Sequence, residues 1–204
     1  MATVIMDRQF AEFLREQRAA AGSDRWDEVW EGTYMMAPLP NNEHQQVAAR
    51  LAALFQEVVG WDSPAIVLVG TNVSDREQGW QHNYRCPDVV VYFPDNPALD
   101  LDTHWCGGPD FAVEVVSEDD RSREKIPFYS KVDTRELLIV DRDPWALELF
   151  RRSDRELRSV GTSTIENGRI LASEALPLTF RLINSEDRSS IQVTHTADGK
   201  TWNV

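Results

Sequence analysis

"GGPDFAVEVVSEDDRSREKIPFYSKVDTRELLIVD" (residues 107–141) holds two apolar runs with a charged segment between them. The runs 111–116 and 136–141 are short and rich in Val, Leu and Ile, the pattern of buried strands. Gly107, Gly108 and Pro109 punctuate the entry to the first. "SREKIPFYSKV" (122–132) reads as a short helix. Proline is tolerated only in a helix's first turn, so Pro127 makes that helix start late and leaves Lys125 on its approach. One residue breaks the first run: Glu114 interrupts Phe111 to Val116. "PDVVVYF" (87–93) repeats the anomaly, with Asp88 heading an apolar run.

The rest of the chain supplies layers around these strands. "NNEHQQVAARLAALFQEVVG" (41–60) is the clearest helix. Asn41 or Asn42 can cap it, Gly60 closes it, and Val47, Leu51, Leu54, Phe55 and Val58 form its apolar stripe. Residues 5–20 show Ile5, Phe10, Phe13 and Leu14 at helical spacing, with Gly22 as the stop. "DEVWEGTYMMAPLP" (27–40) reads as a strand pair turning at Glu31–Gly32. "AIVLVG" (65–70) is a further strand; 71–84 reads as polar and mobile, and 94–108 as a loop. A β-meander over 145–161, strand signal over 168–182, a polar break at 183–190 and a strand pair or loose tail complete the chain. The expected fold class is α/β (α+β), a mixed central β-sheet flanked by helices with an additional β-meander. The expected division is an N-terminal helical extension over 1–25, one domain over 26–183, and a tail or strand pair over 184–204.

Composition narrows the function. A chain of 204 residues, 42 % hydrophobic and 27 % charged, has the length and balance of one globular domain. A net charge of −13 argues against coating nucleic acid by electrostatics and fits a site that collects divalent cations. No run approaches the roughly 20 apolar residues of a membrane span. "MATVIMDRQFAEFLREQRAAAG" lacks the basic start and continuous apolar core of a secretory signal, so a cytoplasmic location is the default expectation. Cys86 and Cys106 form no C-x-x-C pair, which removes a structural zinc site; each reads as a small buried hydrophobe. There is no glycine-rich phosphate loop and no G-x-S-x-G elbow.

Strand alternation puts Asp88 on one face with Val90 and Tyr92, and Glu114 with Ala112 and Val116. If the two strands are neighbours, the two carboxylates converge. Two unpartnered buried carboxylates are costly and raise one another's pKa. A divalent cation removes both penalties, and carboxylate oxygens suit Mg²⁺. Either acid alone reads equally well as the partner of an arginine or as a helix cap. Together, followed by a lysine-bearing helix, they favour a metal site.

"PDVVVYFP…GGPDFAVEVVSEDDRSREKIPFYSKVDTRELLIVD" resembles the Uma family of putative restriction endonucleases, a branch of the PD-(D/E)XK nuclease superfamily. "EGTYMMAPLPNNEHQQVAARLAALF" and "LASEALPLTFRL" resemble that family's entry and closing segments, so the likeness spans roughly 26–182. It implies a restriction-endonuclease-like core and a metal-dependent endonuclease that hydrolyses DNA with Mg²⁺ or Mn²⁺. Asp88, Glu114 and the carbonyl of Val115 would hold the ion. The superfamily's usual lysine position holds Val116 here. Lys125, four residues before Tyr129, matches the lysine that such proteins carry on the next helix, with Lys131 as fallback. Glu31 and His44 are implied near the site. Arg121 and Arg123 could meet phosphate but read first as solvated. Trp80 and Trp105 could stack on bases but read first as packing. His82, His104 and His195 are assigned nothing. Two rival readings stay open: an inactive nuclease-fold module that binds nucleic acid or a protein partner, and a metal-dependent hydrolase of small phosphoesters. A homodimer is expected of a duplex cutter. The discriminating geometry is whether Asp88, Glu114 and a lysine ammonium meet within a few ångströms.

Overall fold

A computed structural model of the chain describes residues 3–117, 121–185 and 188–204. Residues 118–120, in the acidic stretch of sequence after Ser117, and 186–187, in the expected polar break, lie outside the described residues. A six-stranded sheet forms the centre, in the order Glu156–Thr164, Trp145–Ser153, Glu136–Arg142, Phe111–Val115, Val89–Tyr92, Ile66–Val69. Phe111–Val115 and Glu136–Arg142 run parallel, while Val89–Tyr92 lies antiparallel to Phe111–Val115. The sheet is therefore mixed. Parallel neighbours need a crossover, and 107–141 supplies it: a 3₁₀ turn over Ser122–Lys125 leads into helix α3, Ile126–Lys131. Pro127 sits in the first turn of α3, so the late start expected from the sequence is what forms.

Each face of this sheet has its own core. Helices α1 (Arg8–Ala20) and α2 (Asn42–Val59) precede it in the chain. Val47, Leu51, Leu54 and Phe55 of α2 pack on Val89, Val91, Phe111, Val113 and Val115. All four are at most 4 % exposed, and their burial contributes about 6–12 kcal/mol as an upper bound. The opposite face carries Ala112, Leu137 and Ile139 against Phe128 and Tyr129 of α3. Asn41 caps α2, its Oδ1 accepting the His44 N–H at 2.9 Å.

A second sheet of seven short strands includes Glu28–Trp30, Thr33–Met36, Val73–Ser74, Tyr84–Arg85, Leu99–Asp100 and Trp105–Cys106. Thr3–Ile5 adds its edge by pairing with Thr33–Met36. The helix expected from residue 5 therefore starts at Arg8, capped by Asp7, and Ile5 belongs to a strand. The tight turn at Glu31–Gly32 forms as expected, both residues at positive φ (46° and 84°). A third sheet joins Leu171–Ala172, Leu178–Asn184, Ser189–His195 and Thr201–Asn203. Its Phe180, Ile191 and Val193 complete the α2 core. The 183/184 boundary falls inside its second strand, and the final residues form strands. Among the described residues no helix is long and apolar enough to cross a membrane.

Candidate active site

The alternation along Phe111–Val115 sends Phe111, Val113 and Val115 into the α2 core. Glu114 therefore points to the α3 side, where it is 3 % exposed. Val89 pairs with Val113, so the register continued by one residue sets Asp88 opposite Glu114. The Asp88 backbone N–H donates to the Val113 carbonyl at 3.0 Å. Its side chain closes the strand end, Oδ2 accepting the Val115 N–H at 2.7 Å. Oδ1 lies 2.7 Å from His44 Nε2. On its other side His44 Nδ1 sits 3.2 Å from the Ser117 hydroxyl. One tautomer satisfies both contacts: Nε2–H donates to the carboxylate and Nδ1 accepts from the hydroxyl. The first turn of α2 thus fixes the orientation of Asp88.

Glu114 is held from α3. Its Oε2 is 2.8 Å from Lys125 Nζ, and its Oε1 accepts the Tyr129 hydroxyl. Lys125 and Tyr129 stand one helical turn apart and reach the same carboxylate. Tyr129 is fully buried; burial, then the charge of Glu114, pushes its phenol well above the usual range. The same ammonium meets a third acid, Glu28 Oε1, at 2.9 Å. Glu28 comes from the seven-stranded sheet. Its Oε1 also accepts the Cys86 N–H at 2.9 Å, and its Oε2 accepts the Trp30 indole N–H at 2.6 Å.

Glu28, His44, Trp30, Asp88, Glu114 and Lys125 line one cavity of about 90 Å³. Three buried carboxylates and one ammonium share this cavity, and two of the acids, Glu28 and Glu114, touch the ammonium. The neighbouring thiol registers that field: burial, then the charges of Glu28 and Asp88, push Cys86 well above its usual pKa. Among the described residues no group of three or more His, Cys, Asp or Glu side chains forms a ready metal cluster. The donor chemistry nevertheless fits Mg²⁺ or Mn²⁺. Mg²⁺ is held by one or two carboxylates with waters completing its octahedron, and each Asp88 oxygen keeps a lone pair beyond the one taken by His44 or by the Val115 N–H.

Thus Asp88, Glu114, Lys125 and His44 come together, with Val115 on the cavity wall. Glu31 and Lys131 stand apart from it. The Glu31 carboxylate is exposed, accepting from Asn83 Nδ2 at 2.8 Å and lying 3.4 Å from Lys131 Nζ. Lys131 pairs more closely with Asp75, at 2.6 Å. Arg121 lines the same cavity, its guanidinium 5.2 Å from the Trp30 ring centroid and paired with Glu124. Arg123 pairs with Asp141 at 2.7 Å. The two tryptophans pack: Trp80 stacks on His104 at 4.9 Å and Trp105 on Tyr92 at 3.8 Å. Glu28, Tyr129 and Ser117 are the site residues that sequence reasoning missed. Glu28 did carry the same signal as its partners, an acid set inside the short strand "EVW" (28–30).

Residues 10–184, most of the chain and all of the residues just described, match the model of the Uma2 family, whose description is "Putative restriction endonuclease". The chain belongs to the Uma2 family. A solved structure of a putative nuclease belonging to DUF820, from Anabaena variabilis ATCC 29413, is similar to this Uma2 chain. The TM-score is 0.57 at 17 % identity, over 73 % of this chain and 82 % of that one. At that identity the likeness is one of fold. No curated protein matches the sequence.

Proposed function

We propose that this Uma2 protein is a metal-dependent endonuclease that hydrolyses DNA phosphodiester bonds. The observation that carries the reading is the Lys125 ammonium, 2.8 Å from Glu114 in the cavity that Asp88 shares. The family description supports nuclease chemistry. The proposal adds the ion, the substrate and the roles of individual residues.

Asp88 and Glu114 would hold Mg²⁺ or Mn²⁺, with the carbonyl of Val115 completing the protein's donors. When bound, the ion supplies Lewis acidity that activates water and offsets charge on the reacting phosphate. The remaining chemistry belongs to the chain. Lys125, an ammonium on a flexible stem, orients the attacking water or neutralises a phosphate oxygen. His44 keeps Asp88 in one orientation, as outer partners do for ligating carboxylates. Tyr129 does the same for Glu114. Arg121, which lines the cavity, would meet the flanking phosphate on this reading. The acidic balance of the chain restricts DNA contact to this neighbourhood rather than to a broad basic face.

The test is incubation of the purified protein with supercoiled plasmid and with short single-stranded DNA, in Mg²⁺, Mn²⁺ or EDTA. Nicking in either metal and none in EDTA is expected. No cleavage of either DNA in either metal overturns the enzyme reading and leaves a nuclease fold that binds without cutting.

A further inference from the structure

The proposed set of two acids and a lysine leaves Glu28 without a role. Yet Glu28 is as buried as its partners, 6 % exposed, and the sheet that carries it is not the one that carries Asp88 and Glu114. Its carboxylate is built in from three directions. The Cys86 amide holds Oε1, the Trp30 indole holds Oε2, and only the third partner, Lys125 Nζ, is a flexible side chain. Two of the three donors therefore stay whether or not Lys125 is present. Glu114 is contacted by two side chains of the α3 segment, Lys125 and the Tyr129 hydroxyl.

We infer that Glu28 is a positioning residue for Lys125, the anchor that keeps the ammonium at the cavity floor once a cation occupies Asp88 and Glu114. This rests on the nuclease reading above. A divalent ion on Glu114 competes with Lys125 for that carboxylate and repels the ammonium. Glu28 offers the lysine, on its flexible four-carbon stem, a fixed partner that the ion does not take. The Nζ atom stands 2.9 Å from Glu28 and 2.8 Å from Glu114, so it can release one and keep the other with little movement. The rigid anchor also sets where the ammonium points. Glu28 itself is not a ligand on this account: its Oε1 takes two donors, the Cys86 N–H and Lys125 Nζ, and its Oε2 is held by the Trp30 indole.

Two experiments test the assignment. The first compares E28Q, K125M and the double variant in single-turnover cleavage of a short DNA with Mn²⁺. Loss of lysine positioning lowers kcat by about 10²-fold with KM nearly unchanged. In the K125M background the same substitution costs less than about twofold, because Glu28 acts through the lysine. An equal loss in both backgrounds overturns the proposal. Should E28Q not fold, W30F loosens the same carboxylate while keeping its charge, and a smaller loss confined to the Lys125 background is expected.

The second is a crystal structure grown with Mn²⁺. The expected result is Mn²⁺ on Asp88 and Glu114, Lys125 Nζ retained on Glu28, and Glu28 outside the coordination sphere. Mn²⁺ on that pair with Glu28 as a ligand, or with Lys125 turned away from it, overturns the role of Glu28 alone. Absence of Mn²⁺ from Asp88 and Glu114 overturns the nuclease reading and this inference with it.

Discussion

Replacing Lys125 with methionine keeps the aliphatic stem and removes the ammonium that stands between Glu28 and Glu114. The lysine side chain is 12 % exposed and its partners 8 % and 4 %. Removing one member of a buried ion pair strands the other charge and costs about 3–5 kcal/mol. For a chain of this size each kcal/mol moves Tm by about 2–4 °C, so K125M should melt roughly 6–20 °C lower in EDTA. Little of this is lost packing, because methionine fills the same volume. A divalent ion should restore much of the loss. At about 100 times Kd it adds about 2.7 kcal/mol, or roughly 5–11 °C, and without the competing ammonium K125M should gain more from it than the wild type does. Scanning calorimetry with EDTA and with Mn²⁺ measures both shifts. A Tm change below about 2 °C in EDTA refutes the claim that the two acids depend on the lysine. Equal Mn²⁺ stabilisation of K125M and of K125M carrying D88A refutes the assignment of the ion to Asp88.

Three further outcomes follow from the same geometry. H44A frees the Asp88 carboxylate from its 2.7 Å partner and should lower Mn²⁺ affinity or nicking by about 10–100-fold, read by calorimetric titration and plasmid assay. K131A should leave nicking and Mn²⁺ affinity unchanged, because Lys131 pairs with Asp75 and Glu31 outside the cavity. All four tyrosines, Tyr34, Tyr84, Tyr92 and Tyr129, have phenols raised above 10.0, each chiefly by burial. A raised phenol keeps its proton when folded after the unfolded chain has lost it. Its stabilising effect is complete below about pH 10 and falls by about 1.4 kcal/mol per pH unit above that, until the folded group titrates. Tyrosinate absorbance should stay low in the native protein at pH 11 and rise with a midpoint near pH 10 in denaturant.

The sequence makes some of this site plain and hides the rest. Asp88 and Glu114 stand out because a carboxylate inside an apolar strand has no cheap local explanation. Lys125 comes from the likeness to the lysine that Uma proteins carry on the next helix; Pro127 by itself places it only on the approach to that helix, and the 3₁₀ turn over Ser122–Lys125 is what lets it reach Glu114. Glu28 is harder to see. It lies beside Asp27 and near the Glu31–Gly32 turn, where acids look solvated, and its contact with Lys125 is between residues 97 apart in the chain. Glu31 fails to join it because the left-handed turn directs its carboxylate to Asn83 and the surface. The two-residue strands at 73–74, 84–85, 99–100 and 105–106 are too short for a periodic signal. Their partners lie up to 55 residues away, as between Val29 and Tyr84. Ile5 fits a helical stripe by spacing, yet its strand pairing with Tyr34 prevails. Local pattern specifies elements, whereas these assignments depend on contacts made only after collapse.

The most direct test is nicking of supercoiled plasmid in Mn²⁺ by the wild type, D88N and E114Q, with folding of each verified by its melting curve. Both substitutions keep the size of the side chain and remove one ligand charge. The account predicts nicking by the wild type that EDTA stops and that both folded variants lack. Wild-type nicking that persists at the same rate in folded D88N or E114Q would contradict it.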